Sequence, residues 1–103
     1  MEQYVYLLFC RDVDEINVKA FATEEDAMTT LESERRYYLN ESDCYVVGEE
    51  NGNMFRVYYV DPEEKATLTP QELMDRDDTC FWVEAAPFFT TALRVGLNVK
   101  GDD

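Results

Sequence analysis

The chain of 103 residues carries 23 Asp and Glu against 9 Lys and Arg and no His, so its formal net charge at pH 7 is -14. A charge of this size opposes compaction, and in a chain with few aromatic residues it would indicate disorder. Here 46% of the residues are hydrophobic and 14% are aromatic, which supplies enough apolar material for a core. We therefore expect one compact acidic domain over residues 1–103.

The N-terminal sequence passes directly into a strand pattern, without the basic region and small-residue cleavage site of a signal peptide. The longest unbroken apolar stretch, residues 4–10, is much shorter than the roughly 20 residues that span a bilayer. Cys10, Cys44 and Cys80 are odd in number and lie in separate apolar runs, which favours buried free thiols over a disulfide or a ligand set. These features predict a cytoplasmic protein, and its negative surface would be repelled by anionic membranes.

A hairpin and a long helix are predicted first along the chain. Residues 4–10 are apolar on both faces, as in a central strand, and residues 16–22 alternate as a second strand after an acidic turn. Thr23 is the expected N-cap of the helix, with Asp26 at its third position. The acidic side chains of this first turn lie at the positive end of the helix dipole and stabilise it.

The predicted helix has one apolar stripe. At 100° per residue, Ala27, Leu31 and Tyr38 fall on one line, flanked by Met28 and Leu39. The opposite face is expected to meet solvent or a partner, and it carries Glu25, Thr29, Glu32 and Arg36.

The strongest turn signal in the chain is Asn51-Gly52, which lies between two apolar runs. This dipeptide favours a two-residue type I′ hairpin, whose register pairs Cys44 with Tyr59 and Val46 with Val57. By alternation, one face of the hairpin is assigned to the core: Cys44, Val46, Phe55, Val57 and Tyr59. The other face is mixed in character and shows Tyr45, Val47, Glu49, Met54, Arg56 and Tyr58.

The rest of the chain predicts a short helix and two strands. Residues 61–65 form an exposed connection, and Thr69-Pro70-Gln71-Glu72 is a capping box that opens a helix to about Arg76. Residues 80–86 are predicted as a strand, and residues 93–100 alternate as a last one. A helix beginning at Pro87 also fits the spacing of the apolar residues that follow, although a strand from Thr91 onward is favoured.

These elements predict the fold class α+β. In the order ββα-ββα-ββ they form an antiparallel sheet of about six strands, with one long and one short helix packed on one face.

The composition excludes several kinds of chemistry. Without His, the Ser-His-Asp and Cys-His arrangements are impossible within one chain. Three Cys without a CxxC pair do not form a structural zinc site, and no glycine-rich nucleotide loop is present. The acidic runs at residues 12–15 and 75–78 lack the ligand spacing of a calcium loop. We therefore predict that the chain is not an enzyme and has no catalytic residue, cofactor or dedicated metal site.

The acidic surface then remains as the feature that could bind a partner. Carboxylates along a strand or a helix face are roughly 5 to 7 Å apart, comparable with the phosphates of a DNA strand. We expect an inhibitor that presents a DNA- or RNA-like negative surface to a basic nucleic-acid-binding enzyme, as anti-restriction and anti-CRISPR proteins of phages and mobile elements do. The candidate contact residues are Glu24, Glu25, Asp26, Glu32, Glu41, Asp43, Glu49, Glu50, Asp61, Glu63, Glu64, Glu72, Asp75, Asp77 and Asp78.

Other functions remain open. An acidic adaptor or immunity-type module would bind a basic protein without nucleic-acid mimicry, with Tyr37, Tyr45, Tyr58 and Phe88 as aromatic anchors. A small carboxylate enzyme or ion-binding protein is a third class, and a surface that serves only solubility is the plain alternative. In the binding cases the partner is a basic protein, and the chain is a monomer or homodimer. Direct binding to nucleic acid is disfavoured because the charges have the same sign.

Overall fold

The computed structural model describes residues 3–87, which form an α+β arrangement around one antiparallel sheet. Five strands lie in the spatial order β2-β1-β5-β4-β3. The strands are β1 (Tyr4–Arg11), β2 (Ile16–Phe21), β3 (Cys44–Val47), β4 (Met54–Tyr59) and β5 (Asp78–Pro87). The helices are α1 (Glu24–Leu39), α2 (Pro62–Lys65) and a 3-10 helix (Pro70–Leu73).

The predicted class is confirmed, but the predicted order ββα-ββα-ββ with about six strands needs correction. The part of the chain that is described contains five strands, and β5 is the last of them. The sixth strand, expected over residues 93–100, lies outside the described residues. The competing helix would begin at Pro87, which is the last residue of β5, and the remainder of that helix also lies outside them.

β5 is the central strand of the sheet and joins its two halves. It pairs antiparallel with β1 from Tyr4↔Pro87 to Arg11↔Cys80, and with β4 from Met54↔Trp82 to Tyr58↔Asp78. Its run of residues 80–83 is apolar on both faces, as expected of a strand with neighbours on both edges and packing on both sides. The two sequence-local hairpins, β1–β2 and β3–β4, thus become one sheet only through β5.

The main core lies between the sheet and α1. Leu31 and Phe55 are almost fully buried, and Phe55 stacks on Phe81 with ring centroids 4.6 Å apart. The helix begins as predicted, because the Thr23 hydroxyl accepts the Asp26 N–H at 3.2 Å. Burial of the apolar stripe of α1 against these aromatic rings is the main stabilising contact of the domain.

A second, smaller core lies on the opposite face of the sheet. Tyr58, Val60 and Leu73 are buried there, and the hydroxyl of Tyr45 donates to the Leu68 carbonyl at 3.2 Å. The chain from α2 through the 3-10 helix therefore covers the face that α1 does not. This corrects the prediction that both helices pack on one face. The sequence pattern did not show it, because neither short helix is long enough to display an apolar stripe.

The outcome at the two neighbouring tyrosines of β4 is the reverse of the prediction. Tyr58, assigned to the mixed face, is 8% exposed, whereas Tyr59, assigned to the core, is 61% exposed. Alternation does place Tyr59 on the α1 side of the sheet. However, it is the last residue of β4, and the apolar pattern of a strand does not show how far the helix covers it.

The β3–β4 register is confirmed, but its turn differs from the type I′ prediction. Cys44 pairs with Tyr59 and Val46 with Val57. The turn is closed by the Gly52 N–H donating to the Glu49 carbonyl at 3.0 Å, which makes Glu50 and Asn51 its central residues. Asn51 has φ of 64°, whereas Gly52 does not have a positive φ. A type I′ turn would require positive φ at both Asn51 and Gly52.

Gly48 provides a test of this hairpin. Its φ is 147°, and a Cβ added there would lie 2.6 Å from Phe55 Cβ and 2.8 Å from Phe55 Cα. We expect Gly48→Ala to lower the free energy of unfolding by roughly 2 kcal/mol, through backbone strain and the clash with a core residue. Urea denaturation measures the effect. Gly52→Ala is the matched control, since φ at Gly52 is not positive and an added Cβ would meet only the Glu49 carbonyl oxygen closely, at 3.1 Å. An equal loss in both variants would contradict the argument.

Candidate acidic interface

The cysteines are free thiols, as predicted, with Cys44 and Cys80 buried and Cys10 half-buried. Burial, followed by the neighbouring Asp43 carboxylate, raises the pKa of Cys44 to about 11, and burial also raises the pKa of Cys10. Both thiols therefore stay protonated at neutral pH. Within residues 3–87, no group of three or more His, Cys, Asp or Glu is arranged to hold a metal ion, and no helix has the length and apolar composition to cross a membrane.

All five arginines between residues 3 and 87 form ion pairs with carboxylates of the same chain. Arg11 and Arg56 both contact Asp78, each at 3.4 Å. They come from β1 and β4, the two strands that flank β5, so Asp78 ties both neighbours to the central strand. These pairs leave the remaining carboxylates largely without cations of their own.

Glu32 on α1 is the centre of the largest charged network. It contacts Arg36 Nε at 3.1 Å and Arg35 Nε at 3.3 Å, and it accepts the backbone N–H of Asn51 at 3.3 Å. Arg36 also reaches Glu50 at 3.0 Å. Partial burial of Glu32 opposes its ionisation, but the Asn51 N–H and the two guanidinium groups outweigh it and lower the pKa of this carboxyl.

This network changes the predicted role of the outer face of α1. The loop between β3 and β4 folds over that face, leaving a groove of about 580 Å³. Glu32 and Glu50 are therefore internal ties between helix and loop instead of free contact residues. The groove is lined by Glu25, Met28, Thr29, Glu32, Ser33, Arg36 and Asn51.

Two more of the predicted contact residues are engaged near the short helices. Glu64 receives two hydrogen bonds from the Arg76 guanidinium, at 3.0 and 3.1 Å, and a third from the Asp61 N–H at 3.1 Å. The Arg76 hydrogen bonds, with that of Asp61, lower the pKa of Glu64. Glu72 accepts the Thr69 N–H at 2.9 Å, which confirms the capping box. The box opens a 3-10 helix that ends at Leu73, earlier than the predicted end at about Arg76.

Asp78, also a predicted contact residue, is engaged by Arg11 and Arg56. The other ten predicted contact residues form no ion pair with any residue of the described chain. Nine of them are exposed, and Glu41 is half-buried. They are Glu24, Glu25, Asp26, Glu41, Asp43, Glu49, Asp61, Glu63, Asp75 and Asp77.

The structure separates these carboxylates into groups. Glu24, Glu25 and Asp26, here called the helix-start group, form the first turn of α1. Asp43 and Asp61 meet at a surface depression near the opposite end of α1, where Glu64, Arg76 and Tyr59 also lie. A 16-residue helix is about 24 Å long, so one flat partner surface contacts both groups only if it spans that distance.

No family model, curated protein or solved structure matches this chain.

The aromatic residues at the surface differ from the predicted anchors. Tyr45 and Tyr58 belong to the second core, and Phe88 lies outside the described residues. Tyr37 is 59% exposed, and Tyr59 is 61% exposed although the alternation of the hairpin assigns it to the core. The available signal for Tyr59 was its place at the end of the apolar run, close to the polar connection that begins at Asp61.

Thiol reactivity tests the protonation of the cysteines. We expect iodoacetamide at neutral pH to modify all three cysteines of the protein in urea, but to leave Cys44 and Cys80 unmodified in the folded protein, because burial blocks access and Cys44 is not a thiolate. Mass spectrometry of the alkylated peptides measures this. Rapid modification of Cys44 under native conditions would show that the strand end is open.

The Glu32 network predicts a pH-dependent contribution to stability. We expect Glu32→Gln to lower the free energy of unfolding by about 1 kcal/mol at neutral pH, because it weakens two ion pairs. Since folding lowers the pKa of Glu32 below its ordinary value of 4.5, this stabilisation is complete well above pH 4.5 and disappears as the pH falls through the folded pKa.

Urea midpoints of the native protein and the variant, measured at neutral pH and in acid, test this dependence. The difference between them should shrink in acid. Glu25→Gln, on the same helix face but without an ion pair among residues 3–87, is the matched control and should change stability by only a few tenths of a kcal/mol. A pH-independent difference for Glu32→Gln would contradict the assignment.

Proposed function

We propose that this chain is an inhibitor that binds a basic nucleic-acid-binding enzyme by presenting a negative surface that resembles DNA or RNA. The observation that carries the proposal is the distribution of charge. Every arginine between residues 3 and 87 is held by an internal carboxylate, while eleven of the fifteen predicted contact carboxylates have no such pairing. The negative field therefore points outward from fixed positions on the fold.

The placement of the free carboxylates supports this function. They lie on the first turn of α1, on turns that adjoin the sheet and around the short helices. Since these positions belong to ordered elements, binding does not require a disordered tail to be fixed in one conformation. A groove lined by Lys and Arg for a phosphate backbone would meet three consecutive carboxylates at the first turn of α1 and further carboxylates on the turns.

The proposal has further components. The partner is a basic protein, and neither nucleic acid nor an anionic membrane binds directly, because their charges repel the surface. The chain acts as a monomer or homodimer, without enzymatic activity. We place it in the cytoplasm, a reducing compartment, because Cys10, Cys44 and Cys80 are free thiols.

An adaptor or immunity-type module that binds a basic protein without mimicry is the second candidate. The exposed rings of Tyr37 and Tyr59 favour it, because aromatic anchors contribute strongly to ordinary protein interfaces. Competition separates the two functions. A mimic and a nucleic acid occupy the same groove and displace each other, whereas an adaptor and a nucleic acid bind different surfaces of the partner.

Capture from a lysate at low ionic strength, followed by elution with duplex DNA or RNA, tests the mimic. We expect the captured enzyme to bind nucleic acid itself, to be displaced by it, and to lose affinity steeply as salt increases. Neutralising the helix-start group with Glu24→Gln, Glu25→Gln and Asp26→Asn should weaken binding roughly tenfold at low salt if this end forms the contact.

The triple variant Asp43→Asn, Asp61→Asn and Glu63→Gln is the matched control, since it removes the same charge near the opposite end of α1. Unequal effects identify the contacting end. Equal losses show that the contact spans both ends. A partner that is retained in excess nucleic acid, or an affinity unchanged in both triple variants, would refute mimicry.

A further inference from the structure

Two tyrosine rings are exposed at the C-terminal end of α1. Tyr37 lies in the last turn of the helix and is 59% exposed, and Tyr59 ends β4 and is 61% exposed. The Tyr37 ring meets the Tyr38 ring edge-on, with centroids 5.0 Å apart. The Tyr38 ring in turn packs near the Phe81 ring of the core, with centroids 5.7 Å apart. Tyr37 is therefore supported from the core side while much of its ring remains open.

Tyr59 is held on a paired strand beside two carboxylates, Asp43 and Asp61, that form no ion pair with any residue described. It lies opposite Cys44 in the β3–β4 ladder, and the next residue, Val60, donates its N–H to the Asp43 carbonyl at 2.9 Å. Tyr59, Asp43 and Asp61 line the same surface depression, of about 480 Å³. The depression is also lined by Arg76 and Glu64, which form an ion pair with each other. Asp43 and Asp61, in contrast, have no ion pair with any residue described.

The surroundings of the Tyr59 ring carry negative charge. Burial raises the pKa of Tyr59, followed by the nearby Cys44, Asp43, Tyr37 and Asp12. The phenol is therefore neutral at physiological pH, and Asp43 and Asp61 in the same depression favour a cation there. A cation near it gains from the carboxylates and from the electron-rich ring face together.

We infer that the surface formed by Tyr59, Asp43 and Asp61, near the end of α1 that carries Tyr37, binds arginine side chains of the basic partner in preference to lysine. A guanidinium is planar and can stack on a tyrosine ring while it donates paired hydrogen bonds to a carboxylate. An ammonium is a compact, strongly hydrated charge that gains less from the ring. The inference rests on the proposed binding of a basic protein and specifies the side chain that this surface selects.

The helix-start group serves as an internal comparison. It has three adjacent carboxylates on the first turn of α1, and the two exposed rings lie beside the other end of that helix. Exposed carboxylates without a ring for a guanidinium to stack on attract a lysine-rich and an arginine-rich chain mainly through charge, because water competes for the paired hydrogen bonds. Selectivity for arginine should therefore depend on Tyr37 and Tyr59 and be independent of Glu24, Glu25 and Asp26.

The probes are an oligo-arginine peptide and an oligo-lysine peptide of equal length and charge, titrated into the whole protein by calorimetry at low salt. We expect the arginine peptide to bind roughly fivefold more tightly. The double variant Tyr37→Ala and Tyr59→Ala should remove this preference and leave the affinity for the lysine peptide unchanged. Tyr37→Phe with Tyr59→Phe keeps both rings and should retain the preference.

The carboxylate variants separate this inference from the proposed function. Neutralising the helix-start group should weaken both peptides alike and preserve the arginine preference. Equal affinity of the native protein for the two peptides overturns the tyrosine surface but leaves binding to basic proteins intact, whereas failure to bind either peptide overturns both. A preference that persists in the double alanine variant also overturns the inference. Circular dichroism verifies folding, and the phenylalanine variant provides the same comparison with both rings present.

Discussion

The pairing of β5 with strands on both of its edges is the interaction on which the rest of the structure depends. The hairpins β1–β2 and β3–β4 each form between neighbours in sequence, and the two hairpins do not pair with each other directly. β5 lies between them and pairs with β1 on one edge and with β4 on the other. It also places Phe81 against Phe55 on one face of the sheet and Trp82 against Phe9 on the other, where the ring centroids are 4.9 Å apart. Asp78 at its start then binds one arginine from each flanking strand.

Charge is organised around the same framework. Arg36 joins α1 to the β3–β4 loop, and Arg76 joins the segment after the 3-10 helix to α2. Ion pairs of this exposure each contribute little to stability, so the apolar cores must provide most of it. The more important consequence is that these ion pairs decide which carboxylates remain without a cation. Since the arginines engage Glu32, Glu50, Glu64 and Asp78, most of the predicted contact carboxylates that remain without an ion pair lie at the start of α1 and on the turns.

The two cores also determine which aromatic residues reach the surface. Covering the second face of the sheet buries Tyr58 against Leu73, while the end of α1 at Leu39 leaves Tyr59 open beside Tyr37. Two adjacent residues of one strand thus receive opposite roles. Tyr59 lines the same depression as Asp43 and Asp61, and this proximity gives the acidic surface an aromatic component that the charge distribution alone does not suggest.

The sequence by itself determined the features whose causes lie within a few residues. These are the alternating strands, α1 with its Thr23 cap, the Cys44↔Tyr59 register and the free thiols, because periodicity and capping are local properties. The exact turn at Asn51 was not recoverable, since several loops satisfy the same register. Only the tertiary structure decided the position of β5 between the hairpins, the second core, and the pairing of Arg11 with Asp78 across 67 positions. Such contacts depend on which distant segments meet, and the local pattern of residues does not contain that information.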